Sequence, residues 1–435
     1  MRKRTMGLTR RQYGANIRLR ARLPSIALVA LLALVLTAGS ARAQTESGNT
    51  VTVDINTAPF VFAQSAEFTL VAHSERPIVL AQLVVSRTGE PTLIAPITLS
   101  PTRELNISYT LNLQTFTPRP FSRVFYKWQF TDTSGDVTSI VPADFFYEDN
   151  RFTWQGLGLD AANGLPGLQV RWAAGDREQG AAALEAALAA IPEIERVIGV
   201  HLDTPGAQPI RIYLYPRAED LQSALRLSRT EWVGGHADPQ LGTILLAVSP
   251  DEFGTASLAG RVPHEIAHLA IYSRVRDGYT SVPAWLSEGL ATLLEPIHDA
   301  ALQEALEKAQ RDGALAPLAT LCGPFSADRD DATLAYAQSE SAVRYLVDRY
   351  GVPRVQALLD AYARRYGVTS TACAAAVQEV LFVPFTQLES DWRADLGHRS
   401  PGSQAAQTAL PWVVLVLAAS GVTLFFFSRH KVTWS

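Results

Sequence analysis

Cysteine is scarce, with only Cys322 and Cys373 in 435 residues. That excludes a disulfide framework and leaves either a single bridge or two buried thiols. An excess of one charge is also missing. The formal net charge of −4 provides no basic field broad enough to hold nucleic acid. Neither an internal repeat nor a long low-complexity segment occurs. Apolar residues make up 47 %, so a large core can be buried and a disordered chain is not expected. The length allows two or three domains.

What charge there is lies unevenly. A basic stretch from Arg2 to Arg22 precedes the apolar run Ile26 to Leu36, and Ala41-Arg42-Ala43 stands just before Gln44. This order reads as a secretory signal peptide over residues 1–43, with a non-cleaved signal anchor as the alternative. Thr9-Arg10-Arg11-Gln12-Tyr13 faintly matches a twin-arginine export signal. At the other end, Leu410 to Phe427 carries no charge and has the length of a short spanning helix. Arg429-His430-Lys431 follow at once, which places the tail in the cytoplasm by the positive-inside rule. The expected organisation is a transmembrane helix over 410–428, a cytoplasmic tail over 429–435 and a polar linker over 398–409. A buried core helix is the plainer alternative for the apolar run. On the first reading the protein sits in the cell membrane with a single pass, its ectodomain outside and the lipid bilayer as a partner. Both cysteines then lie in a compartment where disulfides form.

Between these ends the expected fold class is α+β. Residues 44–150 read as β: Val51–Ile55, Glu67–Val71 and Val124–Phe130 are alternating or rich in β-branched and aromatic residues, and Thr133-Ser134-Gly135-Asp136 is hairpin-like. Repeated short strands without helical period suggest a β-sandwich of immunoglobulin or fibronectin III type. Residues 151–397 read differently. Strands are expected at Leu168–Trp172, Ile210–Tyr215 and Thr243–Val248, with helices from Arg177 to Val197 and from Ala218. Further helices are expected at Leu258–Tyr272, Ala284–Glu295, Ala300–Arg311, Ala332–Tyr350, Pro353–Tyr366, Ser370–Leu381 and Phe385–Leu396.

The sharpest feature is His264-Glu265-Ile266-Ala267-His268. On a helix, positions i and i+4 share a face, so both imidazoles reach one ion. Glu265 stands beside them and can hold an attacking water without occupying a coordination position. With 8 histidines in the chain, chance supplies such a pattern roughly 0.01 times. Zinc needs a third ligand and an open position. The metzincin pattern would put glycine at 271 and histidine at 274, where Ile271 and Arg274 stand, so that route is closed. A second helix carries Pro283-Ala284-Trp285-Leu286-Ser287-Glu288-Gly289-Leu290-Ala291, with Glu288 20 positions past His268. Glu288 is well placed as third ligand, and Gly289 is expected to let this helix approach the first one closely. Glu295, His298 and Asp299 are the rival ligands.

H-E-x-x-H followed about twenty residues later by W-L-x-E-G-L-A resembles the gluzincin zinc peptidases, specifically the bacterial peptidase MA-like group within the thermolysin and aminopeptidase N superfamily. The resemblance covers roughly Leu168 to Leu396 and extends more weakly to Tyr336-Ala337-Gln338-Ser339 and Val343-Arg344-Tyr345-Leu346. It implies a thermolysin-like catalytic domain with an edge strand beside the zinc helix. It also implies one Zn²⁺ held by His264, His268 and Glu288, with Glu265 as general base and then general acid. Tyr336 is the candidate donor to the oxyanion, with simple packing as the alternative; Tyr345 and Tyr350 read as packing residues. Gly234-Gly235-His236-Ala237 forms either an edge strand that pairs with an extended peptide or an ordinary loop, with His236 a loop histidine. The Gly-Ala-Met-Glu-Asn signature of aminopeptidases is absent. The expected activity is hydrolysis of a peptide or protein substrate. Two alternatives stand beside it: a catalytically silent binding ectodomain, and a zinc amidohydrolase acting on a non-peptide component of the cell envelope. The oligomeric state stays open.

Overall fold

The computed structural model describes residues 49–399 apart from 88–91, 141, 159–166, 174–176, 203–208, 227–233, 249–253 and 366–369. The expected signal peptide and transmembrane helix lie outside the described residues. Among those described, no helix is long and apolar enough to cross a membrane. The arrangement is mixed α+β, with two sheets followed by a helical half.

The first sheet is built from β1 (Val51–Thr57), β2 (Phe60–Val61), β3 (Ser65–Arg87), β4 (Leu93–Asn112), β5 (Arg123–Asp132), β6 (Val137–Ser139) and β7 (Ala143–Phe146). An immunoglobulin-type sandwich has two sheets with no ladder between them. Here one ladder network runs through all seven strands, because β3 and β4 span 23 and 20 residues. Their register shifts between His73 and Ile78 and again before Leu80, which bends the ribbon. β1 pairs with the first half of β3 and β5 with the second. The halves close on a shared core of Phe68, Leu70, Leu83, Val85 and Trp128. Phe68 of one half meets Tyr126 edge-on at 4.9 Å from the other.

The second sheet runs in the order β11 (Gly235–Asp238), β12 (Thr243–Ala247), β10 (Arg211–Tyr215), β9 (Gln169–Trp172), β8 (Gln155–Gly158). β12, β10 and β9 are parallel, while β11 and β8 run antiparallel at the two edges. Side chains alternate across the pleat. Ile212, Leu214, Ile244 and Leu246 meet α1 (Arg177–Ile198) and α3 (Gly254–Val275) on one face. Tyr213, Tyr215, Leu245 and Ala247 point the other way, into the core of the first sheet, joined by α2 (Ala218–Leu225). Both faces of this sheet are therefore covered.

α4 (Ala284–Leu293) lies across α3, followed by α5 (Ala300–Asp312), α6 (Arg329–Tyr350), α7 (Val352–Ala363), α8 (Ser370–Leu381) and α9 (Phe385–Arg399). α3 starts four residues before its expected N-terminus and runs through Pro263, which costs one helical hydrogen bond just ahead of His264. Cys322 and Cys373 form a disulfide, with Cα atoms 6.5 Å apart. It closes a loop of 51 residues, worth roughly 4 kcal/mol of chain entropy. The Cys322 carbonyl accepts from Ala284 N, and Trp285 Nε1 donates to Cys373 Sγ. The bridge thus underpins the first turn of α4, the helix that carries Glu288.

Candidate metal centre

α3 presents His264 and His268 one turn apart, and α4 brings Glu288 across to them. The Nε2 atoms of the two histidines are 3.3 Å apart, and Glu288 Oε2 is 3.4 Å from one and 3.5 Å from the other. Zinc bonds to nitrogen or oxygen of about 2.0–2.2 Å place two ligands of a tetrahedral ion about 3.3–3.6 Å apart. The three donor atoms therefore already stand at the spacing of one tetrahedral face. Among the described residues this is the group of histidines and carboxylates able to hold a metal ion. Two imidazoles and a carboxylate are a donor set that suits zinc.

The outer contacts fix which nitrogens face the ion. Glu295 Oε1 lies 2.8 Å from His264 Nδ1, so that nitrogen carries the proton and Nε2 is left to bind metal. His268 Nδ1 stands 3.2 Å from Ser287 Oγ and 3.4 Å from the Tyr279 hydroxyl. Glu295 was a rival ligand on sequence grounds and is instead a partner of a ligand. It stands two residues past the end of α4, so helical spacing from Glu288 does not fix its position. His298 lies away from the triangle, near Glu340, and Asp299 caps α5. Tyr279 and Ser287 carried no sequence signal for this role. Glu295→Ala is expected to weaken metal affinity about 10–100-fold, as read by competition with a chelating dye.

Glu265 is buried at 8 % exposure and faces the backbone of β11. A Cβ at Gly235 would overlap Glu265 Oε1, so only glycine lets the strand pass there. An edge strand does form, over Gly235–Asp238, and His236 stands on it rather than in a loop. Tyr336, in the second turn of α6, has its ring 6.2 Å from that of His264 and lies within electrostatic reach of Glu288. Burial and the neighbouring carboxylates push its pKa well up, keeping it a donor. Gly289 does not face α3 as expected. Its bare Cα meets Ser339 and Val343 of α6, so the glycine draws α4 towards α6 and Tyr336.

Burial alone would lower the His264 pKa, but hydrogen bonds to Glu288 and Glu295 and the Glu265 charge push it up to about 10. Burial alone would raise the Glu288 pKa, and the two histidines hold it well below the usual carboxylate range. In the metal-free protein the His264 contribution to stability is complete below its reference value of 6.5 and is lost as pH rises towards about 10. The Glu288 contribution is complete above 4.5 and is lost on acidification. A bound dication takes the place of the proton. The gap in Tm between zinc-loaded and chelated protein is therefore expected to widen from pH 6 to pH 9 in calorimetry.

Residues 186–397 match the Peptidase MA superfamily model. The matched segment begins within α1 and contains all three ligand candidates, Glu265, Glu295 and Tyr336. It supports a peptidase MA-like family and, in general terms, a peptidase-type hydrolase. No curated protein matches the chain. Two solved structures show partial likeness. The crystal structure of wild-type OgpA from Akkermansia muciniphila is 10 % identical with a TM-score of 0.21, covering 23 % of this chain and 28 % of that one. A polysaccharide deacetylase from Bacillus cereus is 9 % identical with a TM-score of 0.17, covering 41 % of this chain and 55 % of that one. This chain thus spans less than two thirds of either, and at such scores nothing about it follows from them.

Proposed function

We propose that the protein is a zinc-dependent peptidase of the gluzincin type, anchored in the membrane by its C-terminal helix and acting outside the cytoplasm. The observation that carries the reading is the triangle of His264 Nε2, His268 Nε2 and Glu288 Oε2, with edges of 3.3–3.5 Å. When bound, zinc supplies Lewis acidity that lowers the pKa of a water to about 7 and polarises a carbonyl. Glu265, against the edge strand, takes the proton from the attacking water and later hands it to the departing amine. The Tyr336 hydroxyl donates to the oxygen that gains charge. Among the described residues β11 is an edge strand of its sheet, and an extended peptide added there would run past Glu265. The Cys322–Cys373 bond supports an oxidising compartment. The basic N-terminal stretch with its Ala-Arg-Ala site and the apolar run from 410 support export and anchoring.

The test measures metal by mass spectrometry and hydrolysis of a broad peptide library on one sample. One zinc per chain is expected, with activity lost on chelation and restored by zinc. Absence of tightly bound zinc sinks the enzyme reading. Zinc without peptide hydrolysis leaves the silent binding ectodomain or an amidohydrolase of non-peptide substrates.

A further inference from the structure

The loop between β4 and β5 of the first sheet reaches the edge strand through Arg119. Arg119 Nη1 donates to Asp238 Oδ2 at 3.2 Å and to Gln240 Oε1 at 2.9 Å. Asp238 is the last residue of β11, and its Oδ1 also accepts from Leu241 N in the turn to β12. Both partners are largely sheltered, at 28 % and 18 % side-chain exposure. The arm itself is stiff. Pro118 and Pro120 flank Arg119 and restrict the backbone on both sides. Just beyond, Phe121 is held in the left-handed region at φ 59°, uncommon for a bulky residue, by stacking on Tyr213 at 3.8 Å and by backbone bonding with Tyr147.

The ladder decides which parts of β11 this matters to. Ala247 N bonds to Gly234 O, so by alternation His236 and Asp238 bond into β12 while Gly235 and Ala237 turn their backbone groups to the open edge. Their Cα positions face α3, where Gly235 abuts Glu265 and Ala237 joins the catalytic core. The side chains of His236 and Asp238 point to the opposite face. The strand is thus seated on α3 from one side and tied to the first sheet by Arg119 from the other.

We infer that the first sheet is part of the substrate-aligning apparatus, with Arg119 a positioning residue that holds the β11–β12 hairpin, through Asp238 and Gln240, at the height where an added peptide strand meets Glu265. This rests on the peptidase reading and assigns that sheet a place in the same site. Losing the Arg119 bonds to Asp238 and Gln240 should let the hairpin drift without touching the reacting groups. The effect should fall on substrate binding.

The test uses the full chain, with Arg119→Ala, Arg119→Lys and, as a control on the same sheet, Arg123→Ala, which breaks only the Arg123–Asp144 pair. Arg119→Ala is expected to raise KM about ten-fold with kcat within about two-fold. Hydrogen exchange of the β11–β12 amides bonded in the ladder should speed up by a similar factor, with the Tm close to that of the parent. Arg119→Lys, which keeps the charge, should restore most of both, and Arg123→Ala should change neither. Unchanged KM and unchanged exchange in Arg119→Ala overturn the inference, as does an effect that Arg119→Lys does not relieve. If the parent protein cleaves no peptide, the peptidase reading fails on its own. The exchange measurement then still decides whether Arg119 holds the hairpin.

Discussion

Glu265→Gln is expected to lower kcat by roughly 10²–10⁴-fold while leaving the metal in place. The amide has the shape of the carboxylate, so it fits the same pocket against Gly235, where even one added carbon on the strand would collide. It has no basic oxygen to accept a proton from water at neutral pH. The loss corresponds to about 3–5 kcal/mol of transition-state stabilisation. Zinc content should stay at one per chain, because the donor triangle consists of His264, His268 and Glu288 and does not include Glu265. KM should change little, since in the proposed reading β11, and not Glu265, aligns the peptide. A variant that keeps both its metal and its kcat would show that another group moves the proton, and the gluzincin mechanism would be wrong here. A variant that loses its metal would place Glu265 among the ligands instead.

The candidate centre was legible in the sequence because its parts are local. His264, Glu265 and His268 lie within one helical turn and a third, and the geometry of a helix dictates that they converge. Glu288 needed more, since its approach depends on how α4 crosses α3, and twenty residues of spacing do not fix a crossing. Glu295 was legible only as a rival ligand behind Glu288. It stands two residues past the end of α4, so its contact with His264 Nδ1 depends on how the chain leaves the helix, which spacing does not fix. Tyr279 and Ser287 depend wholly on tertiary packing. Gly289 was read as a place of close approach, correctly, but towards the wrong neighbour, because a bare Cα does not say which helix it meets.

Element positions in the helical half followed from apolar periodicity and turn residues, and most boundaries fall within a few residues of expectation. The first sheet was harder. Short alternating runs identify strands but not their full length. The bend of β3 and β4 lets one strand serve both halves, which a list of short strands does not reveal. The domain boundary near residue 150 was drawn where composition changes. The second sheet begins just beyond it, with β8 at Gln155–Gly158, and one face of that sheet packs into the core of the first.

Residues 151–397 produced alone are therefore expected not to fold. In the whole chain Tyr213, Tyr215, Leu221 and Leu245 are each 3 % exposed or less, buried against Phe121 and its neighbours in the first sheet. Burying side chains of this size stabilises by about 1.5–3 kcal/mol each, so exposing four costs about 6–12 kcal/mol. That equals most of the roughly 5–15 kcal/mol by which a domain is stable. Hydrogen bonds are lost as well, since the Tyr215 hydroxyl bonds to Asp149 and Arg226 donates to the Leu113 carbonyl. The full chain should melt in one cooperative transition, whereas the shortened piece should aggregate or show no transition. A cooperative melt of residues 151–397 near the parent Tm would show that the two parts have separate cores. The run Ile212-Tyr213-Leu214-Tyr215 already argues against that outcome. Apolar side chains on both faces of a strand require both faces to be covered, and within residues 151–397 only the short helix α2 reaches the second face.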